Sequence, residues 1–391
     1  MSISIEELNR MNPDSYQIID IRDEAEIGHG AIPGAVAVAT EEIEGNEKID
    51  FSKKLVICCS RGKYSVDVAE ELSEKGIDAE SLEGGYIAWL IDNMKQKEAA
   101  EKAGEGSFAK DVEQSLRKKF RKSIWCKFTK AINEYELVKP GDKIAVCISG
   151  GKDSMLMAKL FQELKRHNKF DFEVKFLVMD PGYSPANRQV IEENAKRLEI
   201  PIEIFESDIF ESVYNVEKSP CYLCARMRRG YLYSHAQKMG CNKIALGHHY
   251  DDVIETILMG MLYSAQFQTM MPKLHSTNFE GMELIRPMYL IKESAIKAWR
   301  DTNGLHFIQC ACRFTENCVS CGGGRGSKRD EMKELVAQFR NTSSVIETNI
   351  FNSVRDINLR TVMGYHKDGE YYNFLDDYDQ RGNKGADKEK E

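Results

Sequence analysis

The residues best suited to chemistry in this sequence form one short string, SGGKDS, at positions 149–154. An apolar run typical of a strand precedes it at 143–148, and a run typical of a helix follows it at 155–161. A chain that turns from a strand through two glycines into a helix points several backbone N–H groups, and the positive end of the helix dipole, at one small space. The string therefore predicts a cradle for phosphate. Its members are Ser149, Gly150, Gly151, Lys152, Asp153 and Ser154.

A second polar loop is predicted at the same edge of the same sheet. Residues 243–246 have the pattern of a strand that runs into the string GHHYDD, and an apolar helix follows. Either aspartate alone could cap that helix, but carboxylates beside a phosphate site also suit Mg²⁺, which prefers carboxylate and phosphate oxygens. We therefore expect Asp153 and Asp252 to lie near a metal ion or the reacting oxygen, and His248 to lie at the nucleotide.

Clustered thiols are the third chemical feature of the chain, which has eleven cysteines. Cys221 and Cys224 form a CxxC pair, and Arg228, in the basic stretch behind them, is a candidate for contact with a phosphate group. Clustered cysteines in a reducing compartment more often bind metal or react than form disulfides. Zinc, an iron–sulfur centre and redox chemistry all remain open for this pair. Four more thiols follow within twelve residues: Cys310, Cys312, Cys318 and Cys321.

Cys59 is a candidate nucleophile. It follows the apolar strand pattern at 55–58 and opens the loop CSRGKYS, which leads into a helix. Backbone N–H groups at a helix start, with Arg61 and Lys63 nearby, favour the thiolate form of such a cysteine. For its neighbour Cys58, inside the strand, we expect a buried structural role.

Length and composition predict a globular protein with two α/β domains. The 391 residues are 42% hydrophobic, carry a net charge of −8 and include no apolar run long enough for a membrane span. We expect a cytoplasmic location and no membrane partner. Alternating strand and helix patterns predict parallel sheets with crossover helices. The expected division is a first domain at 1–97, a charged linker and basic helix at 98–130, a second domain at 131–366 and a charged tail at 367–391.

One basic segment stands out in this acidic chain. Apolar residues recur every four positions from Leu116 to Ile132, which predicts one helix with a buried face. Lysines and arginines fill the positions between them, and no acidic residue interrupts the run. The basic surface suggests contact with a polyanion such as RNA, while the plain alternative is a solvated face of a docked helix.

The first domain resembles a single rhodanese domain. The resemblance rests on an acidic strand end followed by GHGAIPGA, then CSRGKYS, then LEGGYIAW. It implies that Cys59 carries sulfane sulfur as a persulfide. Tyr64 stands where an arginine is common in that loop, which bears on the choice of sulfur donor.

The second domain resembles the adenylating PP-loop ATPases, and in particular the tRNA 2-thiocytidine biosynthesis proteins. The matching strings are GDKIAVCISGGKDS, CYLCARMRRGYLY, IALGHHYDD, MLYSAQFQTMMPKL and IRP. The resemblance implies a doubly wound parallel sheet, ATP cleaved to AMP and pyrophosphate, tRNA as substrate, and a 4Fe-4S cluster held by Cys221, Cys224 and Cys310. The late cysteines depart from the usual spacing, so Cys312, Cys318 or Cys321 could serve instead or bind a separate zinc.

Together these features predict an ATP-dependent sulfurtransferase. Sulfur from a persulfide donor, such as a cysteine desulfurase, would pass through Cys59, and the linker would act as a tether that presents it to the second domain. Two alternatives remain: an adenylating ligase similar to lysidine synthetase, in which the CxxC pair is only structural, and a persulfide-sensing binding module. The thiolated base, a small-molecule substrate and a homodimer are left open.

Overall fold

The computed structural model describes residues 2–28, 30–102, 107–167, 170–207, 209, 220–308 and 328–378. The chain forms two compact units. One unit comprises Met1–Val253 with Met271–Asp330, and the other comprises Ile254–Met270 with Glu331–Glu391. None of the described helices combines the length and the apolar character that a membrane crossing requires.

The amino-terminal part of the larger unit is built on a five-stranded parallel sheet, in the order β1-β5-β4-β2-β3. Its central strands are apolar because both of their faces are covered, as expected for a parallel sheet. The strands are β1 (Ser2–Ile3), β2 (Tyr16–Asp20), β3 (Val36–Ala37), β4 (Lys54–Cys58) and β5 (Ala79–Leu82), and the helices are α1 (Ile5–Arg10), α2 (Glu24–Ile27), α3 (Tyr64–Glu74) and α4 (Gly85–Lys102).

The second sheet has six strands in the order β10-β11-β9-β6-β7-β8, all parallel except β10. From β6 the chain first builds outward through β7 and β8, and then returns to place β9 on the other side of β6. Ligands bind at such a topological switch point, beyond the carboxyl ends of the strands. The strands are β6 (Lys143–Ile148), β7 (Glu173–Asp180), β8 (Ile202–Glu206), β9 (Lys243–Ala245), β10 (Lys273–His275) and β11 (Glu283–Ile285).

Helices connect and cover these strands. The two doubly wound sheets confirm the predicted α/β fold class. The helices of this part are α5 (Phe108–Arg117), α6 (Cys126–Glu134), α7 (Lys152–His167), α8 (Pro185–Arg197), α9 (Pro220–Lys238), α10 (Tyr250–Ser264) and α11 (Glu293–Thr302).

The basic segment is not one helix, so that prediction was wrong in part. α5 ends at Arg117, a π-helical turn spans Arg121–Trp125, and α6 follows. The amides of Ile124 and Trp125 both donate to the carbonyl of Phe120, at 2.8 and 3.3 Å. The turn re-aims the chain so that the buried face is continuous across the break. All five predicted apolar positions are buried: Leu116, Phe120, Ile124, Phe128 and Ile132.

The two sheets of the larger unit belong to domains that pack on each other. One hydrophobic cluster contains Leu90 and Met94 of α4 together with apolar residues of α5 and α8. The Arg300 guanidinium, on α11, donates to the carbonyl of Gly28 at 2.7 Å. The linker boundaries and the tether remain predictions, because residues 103–106 lie outside the described part of the chain and α4 continues through Lys102.

α12 (Lys328–Thr342) begins in the larger unit and continues in the smaller one from Glu331. The smaller unit also contains α13 (Ile346–Ser353) and a hairpin of β12 (Gly364–Lys367) and β13 (Glu370–Asn373). Arg340 and Glu347 join the two helices by an ion pair of 2.6 Å. Tyr365 and Tyr372 stack across the hairpin with ring centroids 5.1 Å apart. Such cross-strand aromatic pairs stabilise an isolated two-stranded sheet.

Candidate active site at the sheet switch point

The predicted phosphate cradle is the turn between β6 and α7. Gly150 has a φ of +87°, a left-handed conformation that glycine adopts without strain. The Ser154 hydroxyl accepts from the amide of Ser149 at 3.2 Å and donates to the carbonyl of Gly151 at 2.9 Å. These bonds hold the loop closed upon itself, with the amino terminus of a long helix directly behind it.

Lys152 is buried behind this loop between two carboxylates. Its ammonium lies 3.2 Å from Asp153 and 3.0 Å from Glu293. Burial opposes the charge of the lysine, but the two carboxylates outweigh burial and raise its pKa. For Glu293, burial is likewise outweighed by Lys152 and Lys297, so its pKa falls to about 2. Lys152 therefore stays charged, and its ion pair with Glu293 fixes the first turn of α7 against α11.

This ion pair predicts an acid-sensitive contribution to stability. The folded-state pKa of Glu293, about 2, lies below its ordinary value of 4.5. The ion pair therefore stabilises the folded protein fully above pH 4.5, and this stabilisation is lost as the pH falls toward 2. The shift corresponds to at most about 3 kcal/mol. We expect Glu293→Gln to lower the free energy of unfolding at pH 7 and to flatten its decline below pH 4.5, measured by urea denaturation.

The matched control for this prediction is Glu136→Gln. Glu136 forms ion pairs of 3.6 and 3.8 Å with Lys139 and Lys273, but its side chain is 69% exposed. Exposed ion pairs contribute little to stability. An acid profile of Glu293→Gln identical to that of the unchanged protein would contradict the prediction.

The second predicted loop lies directly against the phosphate cradle. A Cβ added to Gly247 would approach the amide nitrogen of Ser154 to 3.4 Å, so this glycine permits close contact between the loop after β9 and the start of α7. The His249 ring lies 3.8 Å from the Asp153 carboxylate and 3.4 Å from that of Asp252. The structure thus brings together the two loops that the sequence placed at one edge.

The two aspartates of this loop have different roles. Asp251 is buried and accepts from the amide of Glu293 at 2.7 Å, so it caps α11 rather than its own helix. Asp252 accepts from the amide of His249 at 2.8 Å and forms an ion pair with Arg329. Burial opposes its charge, but His249 and Arg329 outweigh burial and hold the pKa of Asp252 below its ordinary value. Asp252 is therefore an anion held at the cleft.

Asp153 offers an oxygen with no local hydrogen bond. Its Oδ1 is buried and has no hydrogen-bond partner among the described residues, while Oδ2 faces Lys152. A buried carboxylate oxygen without a donor is costly unless a ligand completes it. Carboxylate oxygen is the ligand type that Mg²⁺ prefers, so this atom fits a magnesium ion that accompanies a nucleotide. The His249 ring lies 3.8 Å from it, beyond hydrogen-bond distance.

His248 is neutral at physiological pH. Burial is the main cause that lowers its pKa to about 4; Asp252 acts against the shift, and Arg286 and Arg329 reinforce it. Its Nδ1 is buried and lacks a hydrogen-bond partner in the described part of the chain. A neutral imidazole at this edge can donate one hydrogen bond to a bound ligand or accept one from it.

The helix that carries the CxxC pair begins near the same edge. Leu223 and Met227 of α9 pack beside Met179, the last residue but one of β7. Cys221 and Cys224 stand three positions apart in the sequence at the start of α9. Their side chains, and residues 309–327 with Cys310, Cys312, Cys318 and Cys321, lie outside what the structure describes.

Ile308, two positions before Cys310 in the sequence, contacts the phosphate loop. A Cβ on Gly150 would meet its Cδ1 at 2.9 Å, and one on Gly151 would meet its carbonyl oxygen at 3.7 Å. Sequence reasoning missed this contact because nothing in an apolar run such as Leu305 to Ile308 marks its partner. Ile308, the last described residue before the late cysteines, therefore lies against the phosphate loop.

Cys59 lies in a loop whose donors converge on its sulfur. The amides of Gly62 and Ser65 donate to the Cys59 Sγ at 3.2 and 3.4 Å, and the Ser65 hydroxyl lies 3.2 Å from it. Gly85 and Gly62, both with positive φ, let the loop approach the start of α4. This arrangement places the Cys59 sulfur at the amino terminus of α3, and its role as a nucleophile stays a prediction. Cys58, by contrast, is fully buried in β4, and burial raises the pKa of its thiol.

A short path of contacts leads from this loop to the second domain. The amide of Tyr86 donates to the carbonyl of Cys59 at 2.8 Å. Space for a Cβ on Gly30 is taken by the Tyr86 hydroxyl, at 2.5 Å, and by Nδ1 of His306, at 3.2 Å. The ring of His306 also meets that of Trp89 edge to face, with centroids 5.9 Å apart. His306 is two residues from Ile308, so the rhodanese domain, through Gly30 and Trp89, and the phosphate loop contact opposite ends of one tripeptide.

Sequence reasoning did not identify three charged residues of the site. Glu293 binds Lys152, Arg329 binds Asp252, and Arg286 lies buried behind His248. Only Arg286 carried a signal, because it belongs to the string IRP that follows a strand. The other two are distant in sequence from every motif, and only the folded chain brings them to the edge.

Comparisons with known proteins agree with this geometry. A family model described as a PP-loop domain matches residues 121–313, and one described as a rhodanese-like domain matches residues 4–92. The tRNA-cytidine(32) 2-sulfurtransferase of Syntrophotalea carbinolica is 32% identical over 255 residues, which cover 64% of this chain and 94% of that protein. The protein of the same name from Acaryochloris marina is 35% identical over 59% of this chain and 79% of its own length.

A solved structure, the U34-tRNA thiolase NcsA from Methanococcus maripaludis with its 4Fe-4S cluster, is 19% identical and has a TM-score of 0.45. It covers 59% of this chain and 76% of its own. Both resemblances found in the sequence, to a rhodanese domain and to a PP-loop domain, are confirmed by the matched family models. The chain belongs to the tRNA-cytidine(32) 2-sulfurtransferase family and carries a rhodanese-like domain before its PP-loop domain.

Proposed function

We propose that this protein uses ATP to activate a base carbonyl of tRNA, of the 2-thiocytidine type, and replaces its oxygen with sulfur carried by Cys59. The observation that carries the proposal is the meeting of two loops at the sheet switch point. The phosphate loop and the histidine-aspartate loop are in contact there, and Ile308, two positions before Cys310 in the sequence, lies against the phosphate loop. Family membership supports tRNA as the substrate.

The first step is attack of the base carbonyl oxygen on the α-phosphate of ATP. A bond forms between that oxygen and phosphorus, the bond between the α- and β-phosphates breaks, and pyrophosphate leaves. Ser149, Gly150, Gly151 and Ser154 hold the pyrophosphate through backbone N–H and hydroxyl groups, and Lys152 supplies a fixed positive charge behind them. Asp153, Asp252 and His248 face the reacting oxygens, with Arg228 as a further contact to phosphate. The activated carbon then carries AMP, a much better leaving group than hydroxide.

The second step replaces AMP with sulfur. A persulfide donor, such as a cysteine desulfurase, transfers its outer sulfur to the Cys59 thiolate, and the donor regains a thiol. The persulfide on Cys59 passes the same sulfur on to an acceptor thiol by the same exchange, with no net oxidation. Attack of that persulfide sulfur on the activated carbon expels AMP and joins the acceptor thiol to the base through an S–S bond. A second thiol then attacks the acceptor's sulfur, a disulfide forms between the two thiols, and the thiolated base leaves. The donors around Cys59 stabilise the anionic sulfur in each exchange.

Two inorganic groups belong to this proposal. Asp153 Oδ1 and Asp252 would hold Mg²⁺, which neutralises phosphate charge. Cys221, Cys224 and Cys310 would hold a 4Fe-4S cluster, which with three protein ligands keeps one iron open for an exchangeable sulfur; zinc is the alternative, and a structural zinc site is closed by four ligands. Iron and sulfide in anaerobically purified protein, with absorbance near 400 nm, would support the cluster, and zinc without that absorbance would reject it.

The decisive experiment is mass spectrometry of nucleosides. Purified protein, ATP, a persulfide donor, a thiol and unmodified tRNA should give a nucleoside heavier by the exchange of oxygen for sulfur, together with AMP and pyrophosphate. A nucleoside with an added amine would instead show a lysidine-type ligase on the same fold. Persulfide formation on Cys59 without any ATP turnover in the presence of tRNA would leave the sensing module as the function.

The exposed basic surface of α5 to α6 predicts a measurable contribution to tRNA binding. Lys118 and Lys122 are exposed, while the apolar face of the segment is buried. We expect the double change Lys118→Glu with Lys122→Glu to weaken tRNA binding about 10-fold or more at 100 mM salt and to reduce its salt dependence. The same reversal at Lys48 and Lys75, exposed on the rhodanese domain, alters net charge equally and should leave affinity within about twofold. Equal losses in both variants would reject a binding surface here.

A further inference from the structure

Arg286 is a buried cation at the carboxyl edge of the second sheet. It follows β11 directly and is only 7% exposed. Its Nη1 donates to the carbonyl of Met271, while its Nε is buried and has no hydrogen-bond partner among the described residues. Within that part of the chain no carboxylate forms an ion pair with it. A guanidinium is always charged and carries five donors, so burying it with so few partners is unfavourable unless a ligand completes them.

The surroundings of Arg286 are buried and carry charges of both signs. Burial is the main cause that lowers its pKa; Arg229 lowers it further, whereas Tyr289, Tyr233 and Asp252 act in the opposite direction. His248 beside it is kept neutral, and its Nδ1 is a second buried atom without a hydrogen-bond partner in the described residues. Arg286 Nε and His248 Nδ1 are thus two buried groups whose hydrogen bonds a ligand can complete, and Arg229 adds a positive charge that favours an anion.

The position of Arg286 separates this anion from the one in the phosphate loop. β11 pairs with β9, and β9 pairs with β6, so two strand spacings lie between Arg286 and the loop after β6. Two spacings amount to roughly 10 Å. A pyrophosphate held by Ser149 to Ser154 is too short to reach across that distance. Arg286 therefore lies beyond the reach of the phosphate loop, after the strand on the other side of β9, where a second substrate can be held.

We propose that Arg286, assisted by Arg229, binds a backbone phosphate of the polynucleotide next to the nucleotide that is modified. This inference rests on the proposed function, because it takes tRNA as the substrate. Guanidinium groups bind phosphate oxygens through two parallel N–H bonds, which fixes orientation as well as supplying charge. A target base in a single-stranded loop must be turned out of its stack to reach an enzyme pocket, and anchoring the neighbouring phosphate holds it there.

The test separates binding of tRNA from binding of ATP. For Arg286→Gln we expect the Kd for tRNA to rise about 10-fold, while the Kd for ATP changes less than about twofold. The slope of log Kd for tRNA against log salt concentration should fall by about 0.7 to 1. Arg286→Lys keeps the charge but not the paired donors, and should recover only part of the affinity. Lys143→Met, which removes a charge at the opposite edge of the same sheet, should leave both affinities unchanged.

Each outcome decides the inference. A higher Kd for ATP with unchanged tRNA binding would show that Arg286 holds a nucleotide phosphate, and no change in either would show that it binds no phosphate; both overturn the proposal. If Arg286→Gln does not fold, Arg229→Gln, at an exposed position of α9, is used instead. We expect it too to reduce the salt dependence of tRNA binding. Failure of the unchanged protein to bind tRNA would overturn the proposed function itself, which distinguishes that failure from failure at Arg286.

Discussion

Gly150→Ala is expected to weaken ATP binding by about two orders of magnitude or more and to abolish thiolation, because two independent costs meet at this residue. Its φ of +87° costs about 1–2 kcal/mol for any residue with a Cβ. The new Cβ would also lie 2.5 Å from Cγ1 of Ile191, which is buried in α8 and cannot move freely. Overpacking of this kind costs a further 1–3 kcal/mol or so, and the strain falls on the loop that binds phosphate.

Gly141→Ala is the matched control. Gly141 has a φ of +81°, but nothing lies within 4 Å of its added Cβ. It precedes β6, at the end of the strand opposite the phosphate loop. We expect it to lower stability by about 1–2 kcal/mol while ATP binding stays within about twofold. Isothermal titration with ATP and thermal unfolding would measure both quantities. Normal ATP affinity of Gly150→Ala would contradict the placement of pyrophosphate in this loop.

Cys59→Ser is expected to reduce transfer of sulfur from a persulfide donor to tRNA at least about 100-fold, since an alcohol cannot form the persulfide. ATP and tRNA binding should not change, because the hydrogen bonds of the Cys59 sulfur among the described residues are to Gly62 and Ser65, within its own loop and the start of α3. Thiolation driven by inorganic sulfide in place of the persulfide donor should persist. Incorporation of labelled sulfur from the persulfide donor would measure transfer through Cys59. Incorporation from labelled inorganic sulfide would measure the thiolation that does not need Cys59.

The neighbouring Cys58 provides the matched control for this experiment. It is fully buried in β4, and burial raises the pKa of its thiol, which disfavours the reactive thiolate. Cys58→Ala should therefore cost about 1 kcal/mol of stability and leave sulfur transfer intact. If Cys59→Ser retained full transfer from the persulfide donor, the rhodanese domain would not be the sulfur carrier. If Cys58→Ala lost sulfur transfer and Cys59→Ser did not, Cys58 rather than Cys59 would be the sulfur carrier.

The local chemistry of both loops could be predicted from the sequence because each motif is short and continuous. A phosphate loop needs two glycines between a strand and a helix, and a reactive cysteine needs backbone donors at a helix start; both requirements are met by neighbouring residues. The parallel sheets also followed from alternating strand and helix patterns. The basic segment was harder: the spacing of Leu116 and Phe120 predicted the buried face, but not the π-helical turn that keeps that face continuous.

Tertiary structure decided what surrounds these motifs. The partners of Lys152 and Asp252, which are Glu293 and Arg329, come from far along the chain, and no local pattern announces them. The buried charge of Arg286 is visible only once β11 is placed beside β9. The reason is physical: local sequence determines backbone conformation and the identity of a reactive group, whereas burial and charge pairing depend on which distant segments the fold brings into contact.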